Sequence, residues 1–137
     1  MLRKDGKIEL LKNVPLFSRC NKKQLAAIAS LADLVDVKAG TELITEGSQR
    51  REFMVIVEGA GEVLRKGRRI DTIGPGDFIG EMALLSGGPR NATVRTTSQT
   101  SFLVVTDRQF WGLLEEAPEI PLSVLRALGE RLQPLAV

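Results

Sequence analysis

Several residue types are scarce or missing in this chain, and each absence excludes a class of chemistry. None of the 137 residues is histidine, so neither a histidine-rich metal site nor a histidine-based general acid–base pair can be built. Cys20 is the single cysteine, which rules out an internal disulfide and favours a reducing compartment. We therefore expect a cytoplasmic protein with no metal site and no histidine-based catalytic pair.

Long apolar runs and a strong net charge are also absent. No stretch approaches the roughly 20 apolar residues of a membrane span, and residues 1–7 lack the apolar segment of a signal peptide. The net charge of +2 gives no reason to expect nucleic-acid or membrane binding. A length of 137 residues predicts one domain, residues 1–137.

What is present is a change of pattern along the chain. Residues 1–32 and 107–133 carry apolar residues at helical spacing, and Pro118 interrupts the second segment. Between them, residues 33–106 alternate β-branched residues with turn dipeptides, which predicts short antiparallel strands in a sandwich or jelly roll. The expected strands are 34–37, 53–57, 61–65, 69–73, 93–97 and 101–105.

Residues 78–94, FIGEMALLSGGPRNATV, suit a ligand with a sugar hydroxyl and one phosphate. Gly80 permits close approach of the backbone. Glu81 accepts a hydrogen bond from a hydroxyl but repels phosphate, whereas the guanidinium of Arg90 binds two phosphate oxygens. The turn signal at residues 86–89 brings Arg90 back beside the helical run that Glu81 opens. Further donors for the anion are the amides of Met82, Ala83, Asn91 and Ala92.

A purely structural interpretation competes with this one. Glu81 and Arg90 are able to form an ion pair at the end of a loop, and each residue alone is more often structural than functional. Their combination with Gly80 before and Ala92 to Val94 after reverses that balance.

The same stretch resembles the phosphate-binding cassette of the cyclic-nucleotide-binding domain family. The nine positions from Glu81 to Arg90 match its kinase-regulatory and channel members, and the turn at residues 74–77 resembles the one that precedes their cassette. The resemblance implies an α+β fold, an eight-stranded antiparallel jelly-roll β-barrel with N- and C-terminal flanking helices and an inserted short phosphate-binding helix. Its parts are expected at residues 1–32 for the N-terminal helices, 33–106 for the β-roll with cassette 78–94, and 107–133 for the C-terminal helices.

The resemblance further implies a regulatory sensor, not an enzyme, that binds a cyclic purine nucleotide reversibly. We expect cAMP, and Asn91 leaves cGMP open because family members commonly carry Ala, Ser or Thr there. The last helix is expected to move as a lid, with Arg131 and Leu132 as candidates to cover the base. The implied ligand contacts are Gly80, Glu81, Met82, Ala83, Arg90, Asn91 and Ala92, with Val63, Ile79 and Val94 as apolar contacts to base and sugar.

Alternatives from other classes remain. A degenerate jelly roll that binds no nucleotide and serves only protein interaction is one, although Glu81 and Arg90 are both retained. A cupin-type enzyme shares a similar barrel, but the absence of histidine argues against it. No cofactor is expected besides the nucleotide ligand. The sequence leaves open an effector protein, a missing effector domain, a homodimer, and whether the chain is a free-standing sensor or a fragment.

Overall fold

The computed structural model describes residues 2–49, 51–85 and 90–136, and for Met82 and Ala83 it describes the backbone only. The chain forms two compact units. One is Asp33–Thr106, and the other combines Met1–Ala32 with Asp107–Val137. The first unit holds the strands and the cassette, and the second holds the flanking helices.

The first unit contains two antiparallel four-stranded sheets. One sheet has the order β1-β8-β3-β6 and the other β2-β7-β4-β5. Non-consecutive neighbours in both sheets are typical of jelly-roll connections. The strands are β1 Asp33–Val37, β2 Glu42–Ile44, β3 Phe53–Glu58, β4 Gly61–Arg65, β5 Arg68–Ile73, β6 Phe78–Ile79, β7 Thr93–Thr96 and β8 Thr100–Val105.

The eight antiparallel strands and the jelly-roll connections implied by the resemblance are found, but the strands do not close into a barrel. Among the described residues, every strand pairing lies within one of the two sheets, whereas a barrel requires hydrogen bonds that join all its strands in a ring. The sheet edges are β1 and β6 in one sheet and β2 and β5 in the other. With only two and three residues, β6 and β2 are too short to carry long edge ladders.

Apolar side chains from both sheets form one core. Its buried members are Leu43, Met54, Ile56, Ile73, Val94 and Phe102. They come from β2, β3, β5, β7 and β8, so each sheet contributes its inward face as expected for packed sheets. This core holds the two ends of the cassette in place, because β6 leads into the cassette and β7 follows it.

Four helices make up most of the second unit, α1 Lys4–Lys12, α2 Lys22–Ala29, α3 Asp107–Glu116 and α4 Glu119–Leu132. Short 3-10 turns occur at Pro15–Phe17 and Gln133–Leu135. The predicted interruption at Pro118 lies between α3 and α4. In the described part of the chain, no helix is long and apolar enough to cross a membrane.

The capping box predicted for α2 is confirmed, and it also contacts α4. Asn21 Oδ1 accepts from the Gln24 amide at 2.9 Å, and Gln24 Oε1 accepts from the Asn21 amide at 2.9 Å. The same Gln24 Oε1 accepts from Ser123 Oγ of α4 at 3.0 Å. An Arg19–Glu130 ion pair gives α4 a second, exposed attachment.

Candidate functional site

The entry of the cassette is a tight backbone turn that buries a carboxylate. Gly80 follows β6 with φ +78°, a value that L residues rarely adopt and glycine adopts freely. Next comes a 3-10 turn, Glu81–Leu84, where the sequence predicts a helical turn. Glu81 is only 7% exposed and Leu84 is buried, so the apolar end of the turn anchors the acidic end.

Gly80 lies directly against the guanidinium of Arg90. A Cβ built on Gly80 would overlap with the Arg90 guanidinium and lie 2.7 Å from the carbonyl oxygen of Glu52. Arg90 Nη2 donates to that same carbonyl. Since Gly80 and Glu81 are adjacent, this packing brings the arginine beside the start of the turn that carries the carboxylate. The sequence placed Gly80 at a ligand contact, and the structure adds that its missing side chain makes room for Arg90.

The exit of the cassette is fixed by the loop that follows β2. The Arg90 amide donates to the Ser48 carbonyl at 2.8 Å, and the Gly47 amide donates to the Arg90 carbonyl at 2.8 Å. Thr93 Oγ1 accepts from the Glu46 amide at 2.9 Å. Arg90 is half-buried. Its backbone is therefore held by hydrogen bonds while its side chain keeps partial access to solvent.

The β4–β5 hairpin reaches this exit. Lys66 and Gly67 form a two-residue turn with φ of +52° and +78°, the signs that a type I′ turn requires. The Lys66 amide donates to Glu46 Oε1 at 2.9 Å. Arg65 Nε donates to the Asn91 carbonyl at 3.0 Å. The basic hairpin is therefore attached to the residue that follows the cassette arginine.

The three predicted apolar contacts lie together. Val63 of β4 is opposite Val94 of β7, and Val63 and Ile79 pack on the core cluster that contains Val94. Val94 is only 4% exposed, so Val63 and Ile79, both half-buried, offer more surface to a ligand. Ala92 is buried and Asn91 is exposed.

Part of the prediction cannot be compared with the structure. The turn at residues 86–89 lies outside the described residues, as do the side chains of Met82 and Ala83. The assignment of Gly80, Glu81, Arg90, Asn91 and the other named residues to a ligand stays a prediction, because the structure shows their placement and not a bound molecule.

Sequence reasoning missed the contacts made by the loop after β2 and by Arg65. The loop residues bind Arg90 through the backbone carbonyls of Ser48 and Glu52, and a carbonyl carries no sequence signal. Arg65 belongs to a run of basic residues that, on its own, indicates a solvated hairpin tip.

Cavities lined by the described residues show where small groups fit. A cavity of about 40 Å³ beside Arg90 is lined by polar residues such as Ser48 and Glu52 and by apolar residues such as Leu43 and Met54. That volume holds a few water molecules but no nucleotide. A larger one, about 360 Å³, lies in the helical unit among α1, α2 and Cys20. Among the residues the structure describes, no group of three or more His, Cys, Asp or Glu side chains is placed to hold a metal ion.

Comparison with known proteins points to one family. Residues 34–117 match the family model for the cyclic nucleotide-binding domain. The chain is 34% identical over 116 residues to a cAMP-dependent protein kinase regulatory subunit of Mycosarcoma maydis, covering 77% of this chain and 22% of that protein. It is 32% identical over 123 residues to a cyclic nucleotide-gated potassium channel of Rhizobium etli, covering 90% of this chain and 34% of the channel.

Solved structures agree. The N-terminal domain of a transcriptional regulator from Streptomyces coelicolor superposes with a TM-score of 0.84 at 28% identity, over 92% of this chain and 94% of that one. The regulatory domain of Toxoplasma gondii PKA, crystallised with cAMP, gives a TM-score of 0.74 at 28% identity, over 83% of this chain and 45% of that one. The chain thus spans about a fifth to a third of the length of the two curated relatives named above.

Proposed function

Because this chain belongs to the cyclic nucleotide-binding domain family, we propose that it is a regulatory sensor that binds a cyclic purine nucleotide, chiefly cAMP. Its similarity to kinase regulatory subunits, and to a PKA regulatory domain crystallised with cAMP, supports this ligand. The proposal includes a cytoplasmic location, which the single cysteine favours.

Each end of the cassette takes one part of the ligand. Glu81 accepts a hydrogen bond from the ribose hydroxyl, because burying a carboxylate is costly unless its oxygens accept hydrogen bonds. Arg90 binds the cyclic phosphate through a bidentate pair. Backbone amides of Met82, Ala83, Asn91 and Ala92 supply further donors. Gly80, Val63 and Ile79 contact sugar and base, and Val94 lies behind them in the core.

One observation carries the proposal: Arg90 packs on Gly80, the residue that precedes Glu81. This packing supports our assignment of a cation for the phosphate and an acceptor for the hydroxyl to one site. A structural ion pair alone needs no glycine between a guanidinium and a carbonyl. Arg90 Nη2 also donates to the Glu52 carbonyl, and a guanidinium that is held in one orientation has a lower ordering cost on binding.

Calorimetric titration with cAMP and cGMP tests the proposal. We expect cAMP to bind with micromolar affinity or tighter, about 8 kcal/mol, and to raise the melting temperature of the protein. The affinity for cGMP relative to cAMP measures the selectivity that Asn91 leaves open. If millimolar cAMP gives neither heat nor a thermal shift, the sensor function is wrong and the protein-interaction module becomes the better hypothesis.

Transmission of the signal is proposed to involve α4. The helix is interrupted between α3 and α4 at Ala117 and Pro118, because proline disfavours helical geometry in the residue that precedes it. α4 buries Ile120, Val124 and Ala127 within the helical unit and leaves Leu122, Leu125 and Leu132 exposed. We propose that α4 moves about this break and covers the bound base with its exposed face.

Hydrogen exchange with and without cAMP tests this movement. We expect α4 to exchange faster than the strands without ligand, because it packs by one face. Addition of cAMP is expected to slow exchange in residues 80–85 and 90–92 and in α4 together. Protection of the cassette with no change in α4 would show that α4 is a fixed packing element.

A further inference from the structure

The β4–β5 hairpin carries four basic residues, Arg65, Lys66, Arg68 and Arg69, and only some of them touch the cassette. Arg65, Arg68 and Arg69 are all exposed, but Arg65 Nε donates to the Asn91 carbonyl at 3.0 Å. From this difference we infer that Arg65 is a positioning residue for the phosphate site, which orients the backbone around Asn91. This inference rests on the proposed function and names a part of its site that the sequence pattern did not indicate.

Peptide geometry explains how Arg65 acts. A trans peptide is planar, and its C=O and N–H groups point in opposite directions; the described residues contain no cis peptide bond. The Gly47 amide holds the Arg90 carbonyl at 2.8 Å, which fixes the plane that carries the Asn91 amide. Arg65 holds the Asn91 carbonyl, which fixes the next plane and the direction of the Ala92 amide. Asn91 is thus restrained on both sides, once by backbone and once by the Arg65 side chain.

Arg65 is itself held in position. Its strand, β4, pairs with β7 through Leu64 and Thr93. The next residue, Lys66, has its amide bound by Glu46 Oε1 at 2.9 Å, and the Glu46 amide binds Thr93 Oγ1 at 2.9 Å. Glu46 therefore joins the hairpin turn and the cassette exit, so the Arg65 guanidinium approaches Asn91 from a rigid support.

The restraint matters because an anion site works by preorganisation. Amides that already point at the phosphate need no reorientation when it binds, whereas mobile amides lose conformational entropy on binding. Loss of the Arg65 bond leaves Arg90, Glu81 and the Gly47 bond in place. The expected effect is therefore partial and falls on the phosphate contact.

Three variants of the full chain separate positioning from simple charge. Arg65→Ala is expected to weaken cAMP binding by about three- to tenfold, the range of one hydrogen bond. Arg68→Ala removes the same charge from the same hairpin and is expected to change affinity by less than about twofold, as screened surface charges do. Arg65→Lys keeps a donor within reach and is expected to recover part of the loss.

A second measurement does not depend on ligand. In the nucleotide-free protein, Arg65→Ala is expected to shift and broaden the amide NMR resonances of Asn91 and Ala92, and Arg68→Ala is expected to leave them unchanged. Equal losses of affinity for Arg65→Ala and Arg68→Ala would overturn the inference in favour of hairpin charge alone. Unchanged resonances of Asn91 and Ala92 in Arg65→Ala would also overturn it.

The two hypotheses fail differently. If the wild-type chain binds no cyclic nucleotide, the proposed function is wrong, and the resonances still decide whether Arg65 orients Asn91. If the wild type binds cAMP and Arg65→Ala binds equally well, only the positioning role is wrong.

Discussion

The strand unit and the helical unit use polar contacts in different ways. Around the cassette exit, the loop after β2, the β4–β5 hairpin and residues 90–93 are joined by hydrogen bonds of 2.8 to 3.0 Å. Three of these bonds hold the Arg90 amide, the Arg90 carbonyl and the Asn91 carbonyl. In the helical unit, α4 is held through Gln24 and Arg19, and its other side exposes leucines. The cassette exit is therefore held mainly by hydrogen bonds to the backbone, whereas α4 is held by one buried apolar face and by polar side-chain contacts.

The largest expected effect comes from giving Gly80 a side chain. Gly80→Ala forces a Cβ against Arg90 and the Glu52 carbonyl at a positive φ, so we expect the free energy of unfolding to fall by roughly 2–5 kcal/mol and cAMP binding to be lost. Chemical denaturation and calorimetric titration measure the two effects.

Gly112→Ala is the matched control in the helical unit. Gly112 lies within α3 and has no positive φ, and a Cβ built there meets no described atom within 4 Å apart from its chain neighbours and its own helix backbone. We expect this change to stabilise the protein by about 0.5–1 kcal/mol, because alanine favours helix. If Gly80→Ala proves as harmless as Gly112→Ala, the described packing of Arg90 on Gly80 is wrong.

Removing the charged groups of the cassette gives the next largest effect. We expect Arg90→Ala to weaken cAMP binding by about ten- to a hundredfold, since hydrogen bonds to charged groups contribute roughly 1.5–3 kcal/mol. Glu81→Ala is expected to lose less, because it contacts a neutral hydroxyl. Arg90→Lys should also bind more weakly than wild type, as a point charge lacks the planar fork. Isothermal titration ranks the variants, and equal binding by Arg90→Ala and wild type would remove Arg90 from the site.

Removing a polar contact of α4 is expected to have a smaller effect. It tests whether α4 is restrained separately from the strands. Ser123→Ala deletes the buried hydrogen bond to Gln24, so we expect a loss of about 1 kcal/mol in stability and faster hydrogen exchange in α4 than in the strands. Ser30→Ala removes an exposed hydroxyl bonded to its own helix and serves as control. Equal acceleration in the strands would mean that α4 is not restrained separately.

The smallest effect appears only at high pH. Burial raises the pKa of the Cys20 thiol from 9.0 to about 11. Below pH 9 the thiol is protonated whether the chain is folded or unfolded, so its burial costs nothing there. Between pH 9 and 11 the unfolded chain ionises first, and the free energy of unfolding falls as pH rises. Denaturation of wild type and Cys20→Ser across this range measures the difference, and identical slopes would contradict it.

The sequence predicted most of the secondary structure for identifiable reasons. Alternating β-branched residues located six strands, and Asn21 with Gln24 located the start of α2, because these signals are local. β2 and β6 were not located, since strands of three and two residues carry almost no periodicity. The strand pattern predicted a sandwich or jelly roll, but it could not decide whether the sheets close into a barrel, because closure depends on which strand edges meet.

For the site, the sequence predicted the residues of the local motif but not the contacts between distant parts of the chain. Residue type and spacing pointed to Gly80, Glu81 and Arg90. The structure places Gly80 and Arg90 in contact. The roles of Glu52, Gly47 and Arg65 depend on backbone groups brought together from distant parts of the chain. A pattern of side chains does not encode them.

The exposed leucines of α4 have a calorimetric consequence. Leu122, Leu125 and Leu132 are 59%, 63% and 59% exposed, and covering apolar surface lowers the heat capacity. If α4 covers the nucleotide, the binding enthalpy becomes more negative with rising temperature, and replacing these leucines by serine flattens that slope. The heat capacity of binding therefore reports where the helix goes, even when affinity hardly changes.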